Sequence, residues 1–218
     1  MAKMTLTKES TLAEVAAYLA EWRTLAVKKY PEKRLAIGLF TDSKFIILDC
    51  DFSDITENNV SIDEKSFSSM HKEDNGEKVY KLRLSNLKNS KNGEKSFLLR
   101  CFRNTVLFEC SLDEFFSRFE WFRNEYGNCA NDVIFAQRAK AKRQKKAENT
   151  QMTLTVGHFA EYLLSGGNWS INAKAIQNSY DVKVNNTPYE VKTCLGKITY
   201  NGTIYNFGGS SIELAKDF

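Results

Sequence analysis

Glu161, Asp181, Glu190 and Lys192 are the side chains whose types and spacing could do chemistry together. Three of them lie in Tyr180-Asp181-Val182-Lys183-Val184-Asn185-Asn186-Thr187-Pro188-Tyr189-Glu190-Val191-Lys192-Thr193, which reads as two short strands around the turn-forming run Asn185-Asn186-Thr187-Pro188. Side chains alternate faces along a strand, so Asp181 and Lys183 take one face and Val182 and Val184 the other. On the second strand Glu190 and Lys192 share a face, opposite Tyr189, Val191 and Thr193. A two-residue loop is expected to set Asp181 opposite Lys192 and Lys183 opposite Glu190. One reading is a surface hairpin with cross-strand ion pairs, each contributing about 0.2 to 1 kcal/mol. The other starts from Glu161, the single acidic group in Val156-Gly157-His158-Phe159-Ala160-Glu161-Tyr162-Leu163-Leu164. That segment is predicted to be a short helix with Thr155 as N-cap and Gly166-Gly167 closing it. A lone carboxylate among Phe159, Ala160, Leu163 and Leu164 is costly to bury, and a cation held jointly with Asp181 and Glu190 would compensate it.

In order along the chain, Gly157-x-x-Ala160-Glu161-Tyr162, Tyr180-Asp181 and Glu190-Val191-Lys192-Thr193 resemble the PD-(D/E)XK nuclease superfamily, the restriction-endonuclease-like fold. That family's pattern is a helix bearing Glu, an Asp on the second strand and Glu-x-Lys on the third. The resemblance implies a divalent-metal-dependent DNA endonuclease hydrolysing phosphodiester bonds, foremost a type II restriction endonuclease. A structure-specific nuclease of the Holliday-junction-resolvase kind and a non-catalytic nucleic-acid-binding protein are the alternatives. Cleaving a phosphodiester needs a nucleophilic water, neutralisation of charge at phosphorus and help for the leaving oxygen, all of which hard divalent cations supply. The resemblance implies Asp181 and Glu190 as metal ligands, joined by the Val191 carbonyl. It implies Lys192 as the group that orients or deprotonates the attacking water, and Glu161 as an outer or second-metal ligand. His158, three residues before Glu161, is read as a packing or surface residue.

The remaining composition agrees with oxygen chemistry. Two histidines, and five cysteines without C-x-x-C spacing, argue against a zinc site and a disulfide framework. The expected ion is therefore magnesium, or manganese. The longest apolar runs, Leu35 to Phe40 and Phe45 to Leu48, are too short to span a bilayer, and nothing at the N-terminus resembles a signal peptide. A reducing, cytoplasmic compartment and no membrane partner are expected. The net charge of +4 is local: Arg138, Lys140, Lys142, Arg143, Lys145 and Lys146 follow one another with no acid between them. Without these six, 25 basic residues face 27 acidic ones, a net of −2. A run of this kind is either a solvated linker helix or a helix that contacts DNA phosphates, and its position before the nuclease-like motif favours the second.

The elements that must position these residues can be read in outline. Thr11-Leu12-Ala13-Glu14 fits a capping box that opens a helix to about Lys29. Two strands follow around Thr41-Asp42-Ser43. Asp49 and Asp51 near the second resemble a metal pair, but no third carboxylate or lysine motif accompanies them. Ser53 to Lys78 is polar and read as a long loop, Val79 to Leu84 alternates as a strand, and Lys91-Asn92-Gly93 marks a turn. Phe97 to Phe102 and Thr105 to Cys110 are read as a hairpin. Ser111-Leu112-Asp113-Glu114 opens a second helix whose Phe115, Phe116, Phe119 and Phe122 are core candidates. After Tyr126-Gly127-Asn128 a separate helix is expected from Asp132 to Ala147, and Asn201-Gly202 predicts a hairpin.

The expected class is α+β. Residues 1–127 form an N-terminal α+β unit with antiparallel strands that helps to read DNA, 128–150 a basic linker helix, and 151–218 the nuclease-like core, a mixed sheet with flanking helices. The family places a helix and another strand after Glu-x-Lys, whereas 25 residues follow Thr193 here. The N-terminal unit or a second subunit then completes the sheet, or the fold is reduced. Cutting both strands of DNA calls for two such centres, hence a homodimer.

Overall fold

Strands that are apolar at nearly every position need cover on both faces, and the runs around Leu35 and Phe45 are of that kind. The computed structural model describes residues 6, 9–29, 32–57, 60–64, 80–84, 104–138, 155–168, 180–208 and 211–212. In chain order the elements are α1 (Leu12–Lys29), β1 (Arg34–Phe40), β2 (Lys44–Cys50), a 3-10 turn (Phe52–Asp54), β3 (Val60–Glu64), β4 (Tyr80–Leu84) and β5 (Val106–Ser111). Then come α2 (Leu112–Arg138), a helix over 155–164, β6 (Val182–Val184), β7 (Thr187–Thr193), β8 (Gly196–Tyr200), β9 (Thr203–Gly208) and β10 (Ser211–Ile212).

The central sheet has the order β5-β2-β1-β7-β6. Its neighbours are antiparallel except β1 and β7, which run parallel with Leu35 beside Glu190 and Ile37 beside Lys192. Parallel neighbours need a long crossover, and here it is the whole stretch from Phe40 to Thr187. Strands on either side of the expected 128–150 linker therefore share one sheet. Of the completions left open by the sequence, the N-terminal segment is the one that lies beside the Glu-x-Lys strand. Smaller sheets, β10-β4-β3 and β8-β9, stand apart in pairing.

The sheet has two apolar faces. On one, Val15, Leu19 and Trp22 of α1 pack with Leu35, Ile37, Leu39, Leu48 and Cys194. On the other, Phe115, Phe116, Phe119 and Phe122 of α2 and Val156, Phe159, Ala160 and Leu163 of the 155–164 helix pack with Ala36, Phe45, Ile47, Val182, Tyr189 and Val191. The aromatic stripe of α2 is thus core, as its spacing predicts, with Phe119 edge-on to Phe159 at 5.4 Å between ring centroids. The class is mixed α/β, helices covering both faces of a mixed sheet.

Local signals explain most element ends. The Thr11 N–H donates to Glu14 Oε2 at 2.6 Å and the Glu14 N–H to Thr11 Oγ1 at 3.3 Å, the reciprocal capping box. Two expectations fail. The polar stretch 53–78 contains β3, paired with β4; with Val60 and Ile62 as its only apolar positions, its alternation is too short to announce a strand. The break at Tyr126-Gly127-Asn128 does not occur, because α2 runs unbroken to Arg138, and one glycine inside a helix costs only about 1 kcal/mol. The turn at 91–93 and the strand at 97–102 lie outside the described residues. Cys50, Cys110 and Cys194 are free and buried. Among the described residues no helix is long and apolar enough to cross a membrane.

Candidate active site

The β6–β7 hairpin turns on Asn185 and Asn186, both at positive φ (49° and 67°). Two consecutive left-handed residues make a type I′ turn, which matches the twist of the flanking strands and suits asparagine. Its register is Val182↔Tyr189, Lys183↔Pro188 and Val184↔Thr187. This differs from the expected register by two residues. Placing the loop at Asn186-Thr187 would force β-branched Thr187 into the left-handed region, and two asparagines are the better pair for it. The slip leaves every side chain on its expected face but changes its partner. Lys183 lies opposite Pro188, not Glu190, and its ammonium sits 5.1 Å from the Tyr180 ring centroid.

Asp181, one residue before β6, comes level with Glu190 and Val191 instead of Lys192. Its N–H donates to the Tyr189 carbonyl at 2.9 Å, and its Oδ2 accepts from the Val191 N–H at 2.8 Å. Lys192 finds its partner on its own strand, its Nζ 2.5 Å from Glu190 Oε1. Alternation buries Tyr189, Val191 and Thr193 while Glu190 and Lys192 are partly exposed on the opposite face, the face that also carries Leu35 and Ile37 of β1.

A residue that local reading missed completes this group. Lys33, just before β1, brings its Nζ to 2.7 Å from Glu190 Oε2. No local signal marks it, since its role depends on β1 lying parallel to β7. Glu161 is 7% exposed on the 155–164 helix, with His158 Nδ1 3.6 Å from its Oε2. His158 is therefore a neighbour of the acidic group as well as a packing residue. Thr155, expected as the N-cap, is already helical and buried. Gly166 (φ 62°) and Gly167 (φ 89°) close the helix, the Gly167 N–H donating to the Tyr162 carbonyl at 3.2 Å. Asp49 and Asp51 are engaged elsewhere: Asp49 binds Arg34 Nε at 2.5 Å, and Asp51 caps the 3-10 turn. Arg138 ends α2, and Lys140, Lys142, Arg143, Lys145 and Lys146 lie outside the described residues.

The charges act on one another strongly. Burial, then the charges of Glu190 and Glu161, push the Asp181 carboxyl up to about 6 against the pull of Lys192 and the Val191 N–H. Glu190 is also raised by burial, but Lys192 and Lys33 outweigh that and hold it below its ordinary value. Burial works against the Lys192 ammonium, yet Glu190, Asp181 and Glu161 together raise it above its ordinary value. In this state Lys192 is a fixed positive charge and not a base.

Asp181 is thus a carboxylate partly withdrawn from water in a net negative field, the environment in which a cation is welcome. Among the described residues no group of three or more His, Cys, Asp or Glu side chains is disposed to hold a metal ion. Magnesium keeps several waters and takes one or two carboxylates plus substrate phosphate; Asp181 and Glu190 are the two carboxylates that would be offered to it, with both Glu190 oxygens bonded to lysines and Asp181 Oδ2 to the Val191 N–H. Such an all-oxygen pair would suit magnesium or manganese and not zinc. Compared with known proteins, the chain finds no matching family model, curated protein or solved structure.

Proposed function

We propose that the chain is a divalent-metal-dependent deoxyribonuclease with a centre built from Asp181, Glu190 and Lys192 and assisted by Glu161. The observation that carries this reading is a mostly buried lysine on a sheet strand, bonded to one carboxylate and held charged by two more. A buried ion pair alone is weak support for stability. Three carboxylates whose charges act on one lysine, with one of them pushed up to about 6, support a site kept for chemistry. The sheet supports the same reading, since β1 gives the Glu-x-Lys strand a parallel neighbour.

Asp181 and Glu190 would hold magnesium, or manganese in its place, with the Val191 carbonyl as a third oxygen. Bound there, the ion would supply an activated water and neutralise charge at the scissile phosphate. Lys192, positioned by Glu190, brings a permanent positive charge to the phosphoryl oxygens as negative charge grows on them. Glu161 holds Lys192 charged and biases Asp181 toward a cation. The basic run from Arg138 to Lys146 supplies phosphate contacts that bind DNA without regard to sequence. One centre cuts one strand, so double-strand cleavage by a type II restriction enzyme uses a homodimer whose two-fold axis matches that of a palindromic site.

The test is incubation of long genomic DNA, and of a four-way junction, with protein and magnesium. Discrete fragments support a restriction endonuclease, and cutting of the junction alone supports a resolvase-like nuclease. No cleavage of either, with binding retained, leaves a non-catalytic binding protein and overturns the proposal.

A further inference from the structure

Glu190 is held by two ammonium groups from different parts of the chain. Lys192 reaches Oε1 from its own strand, while Lys33 reaches Oε2 at 2.7 Å from the start of β1. Its register explains the arrival of Lys33. Alternation puts Lys33, Leu35 and Ile37 on one face, and the parallel pairing sets Leu35 beside Glu190 and Ile37 beside Lys192. The Lys33 side chain is 13% exposed, less than Lys192 at 21%. Lysine ammoniums ordinarily stay in water, so one largely buried against a carboxylate beside a functional centre calls for an explanation.

The charge count supplies one. Asp181, Glu190 and Glu161 carry three negative charges when ionised, against two positive charges on Lys192 and Lys33. A divalent cation turns that net of −1 into +1, the sign that holds a phosphate. Without Lys33 the ion-free site is −2 and the ion-loaded site neutral. The ion and Lys33 also want the same carboxylate oxygens.

We propose that Lys33 is a positioning residue of the centre, one that holds Glu190 in place of the metal and competes with the metal for it. It sets the loaded site to attract phosphate at the expense of ion affinity. This rests on the nuclease reading above. A merely structural lysine would weaken both ion and DNA binding when removed, whereas this role moves them in opposite directions.

The experiment measures manganese binding at pH 8 by calorimetry, without DNA, in wild type, Lys33→Met, Lys33→Arg and Asp181→Asn. DNA binding in calcium is measured alongside. Lys33→Met is expected to bind manganese more tightly, on the order of tenfold given the strength of charge–charge repulsion at such distances, and to bind DNA more weakly. Lys33→Arg, which keeps the charge, is expected to stay near wild type in both. Lys33→Gln is the second uncharged variant and is read in the same way should the methionine not fold. Unchanged or weaker manganese binding in the uncharged variant, with wild-type binding abolished by Asp181→Asn, overturns the role of Lys33 and leaves the nuclease reading standing. Wild-type manganese binding that is absent, or indifferent to Asp181→Asn, overturns both.

Discussion

Asp181 sits where its own charge is unwelcome, and that has a measurable consequence in the metal-free protein. Its carboxyl is pushed from 3.8 up to about 6, first by burial and then by Glu190 and Glu161. The folded protein holds this proton more tightly than the unfolded chain, so its contribution to stability is full below about pH 4. That contribution is lost as pH rises through about 6. Asp181→Asn removes the ionisation while keeping an oxygen to accept the Val191 N–H. In chelator at pH 8 it should raise Tm by a few degrees, on the order of 1 to 3 kcal/mol, and at pH 4 it should change little. A variant no more stable than wild type at pH 8 would show that Asp181 is not held against its charge. Glu190 behaves oppositely, because it is lowered by the two lysines that flank it. Glu190→Gln strands both ammoniums in a mostly buried site, so it should lower Tm in the same measurement.

The element that aligns these residues is the β6–β7 hairpin, and its turn sets which carboxylates meet. Asn185 and Asn186 both occupy the left-handed region, where other non-glycine residues cost about 1 to 2 kcal/mol. Asn186→Gly should hold or raise stability. Asn186→Val should lower it by about that amount and reduce any cleavage further, since a shifted register moves Asp181 away from Glu190. Equal melting of the valine variant and wild type would contradict the turn assignment. Much at this scale is legible in the sequence, because its causes are local: the Thr11–Glu14 box, the hairpin at Asn201-Gly202 (φ 47° and 77°), and the phenylalanine stripe of α2. The faces of Asp181, Glu190 and Lys192 are legible too, since parity survives a two-residue slip. Their partners are not, because two loop placements in Asn185-Asn186-Thr187-Pro188 keep the same parity. Strand β3 and the unbroken α2 are hidden for different reasons: pairing with β4 outweighs weak local preference in the first, and in the second a single glycine costs a helix only about 1 kcal/mol. Lys33 can be found only through the parallel contact between β1 and β7, which joins segments about 150 residues apart.

At the scale of the whole molecule, that contact makes the N-terminal segment part of the site's own sheet, so the centre depends on both ends of the chain being folded together. The proposed division of labour gives affinity to the basic run and chemistry to the hairpin. Replacing Lys142, Arg143, Lys145 and Lys146 by Gln should flatten the plot of log affinity against log salt by about 0.9 for each phosphate no longer neutralised, while leaving manganese binding unchanged; a wild-type salt slope would remove the run from the interface. Sedimentation with and without DNA, beside supercoiled-plasmid kinetics, tests the homodimer. A monomer in both states, with nicked circles accumulating first, would make it a sequential nicking enzyme. The proposed function stands or falls on Lys192, held charged by three carboxylates, serving phosphodiester hydrolysis. The decisive test is cleavage of genomic DNA by wild type and Lys192→Ala in magnesium, with DNA binding followed in parallel. The expected result is cutting by the wild type that chelator stops, and no cutting by a Lys192→Ala protein that still binds DNA. Cutting by Lys192→Ala at the wild-type rate would contradict it.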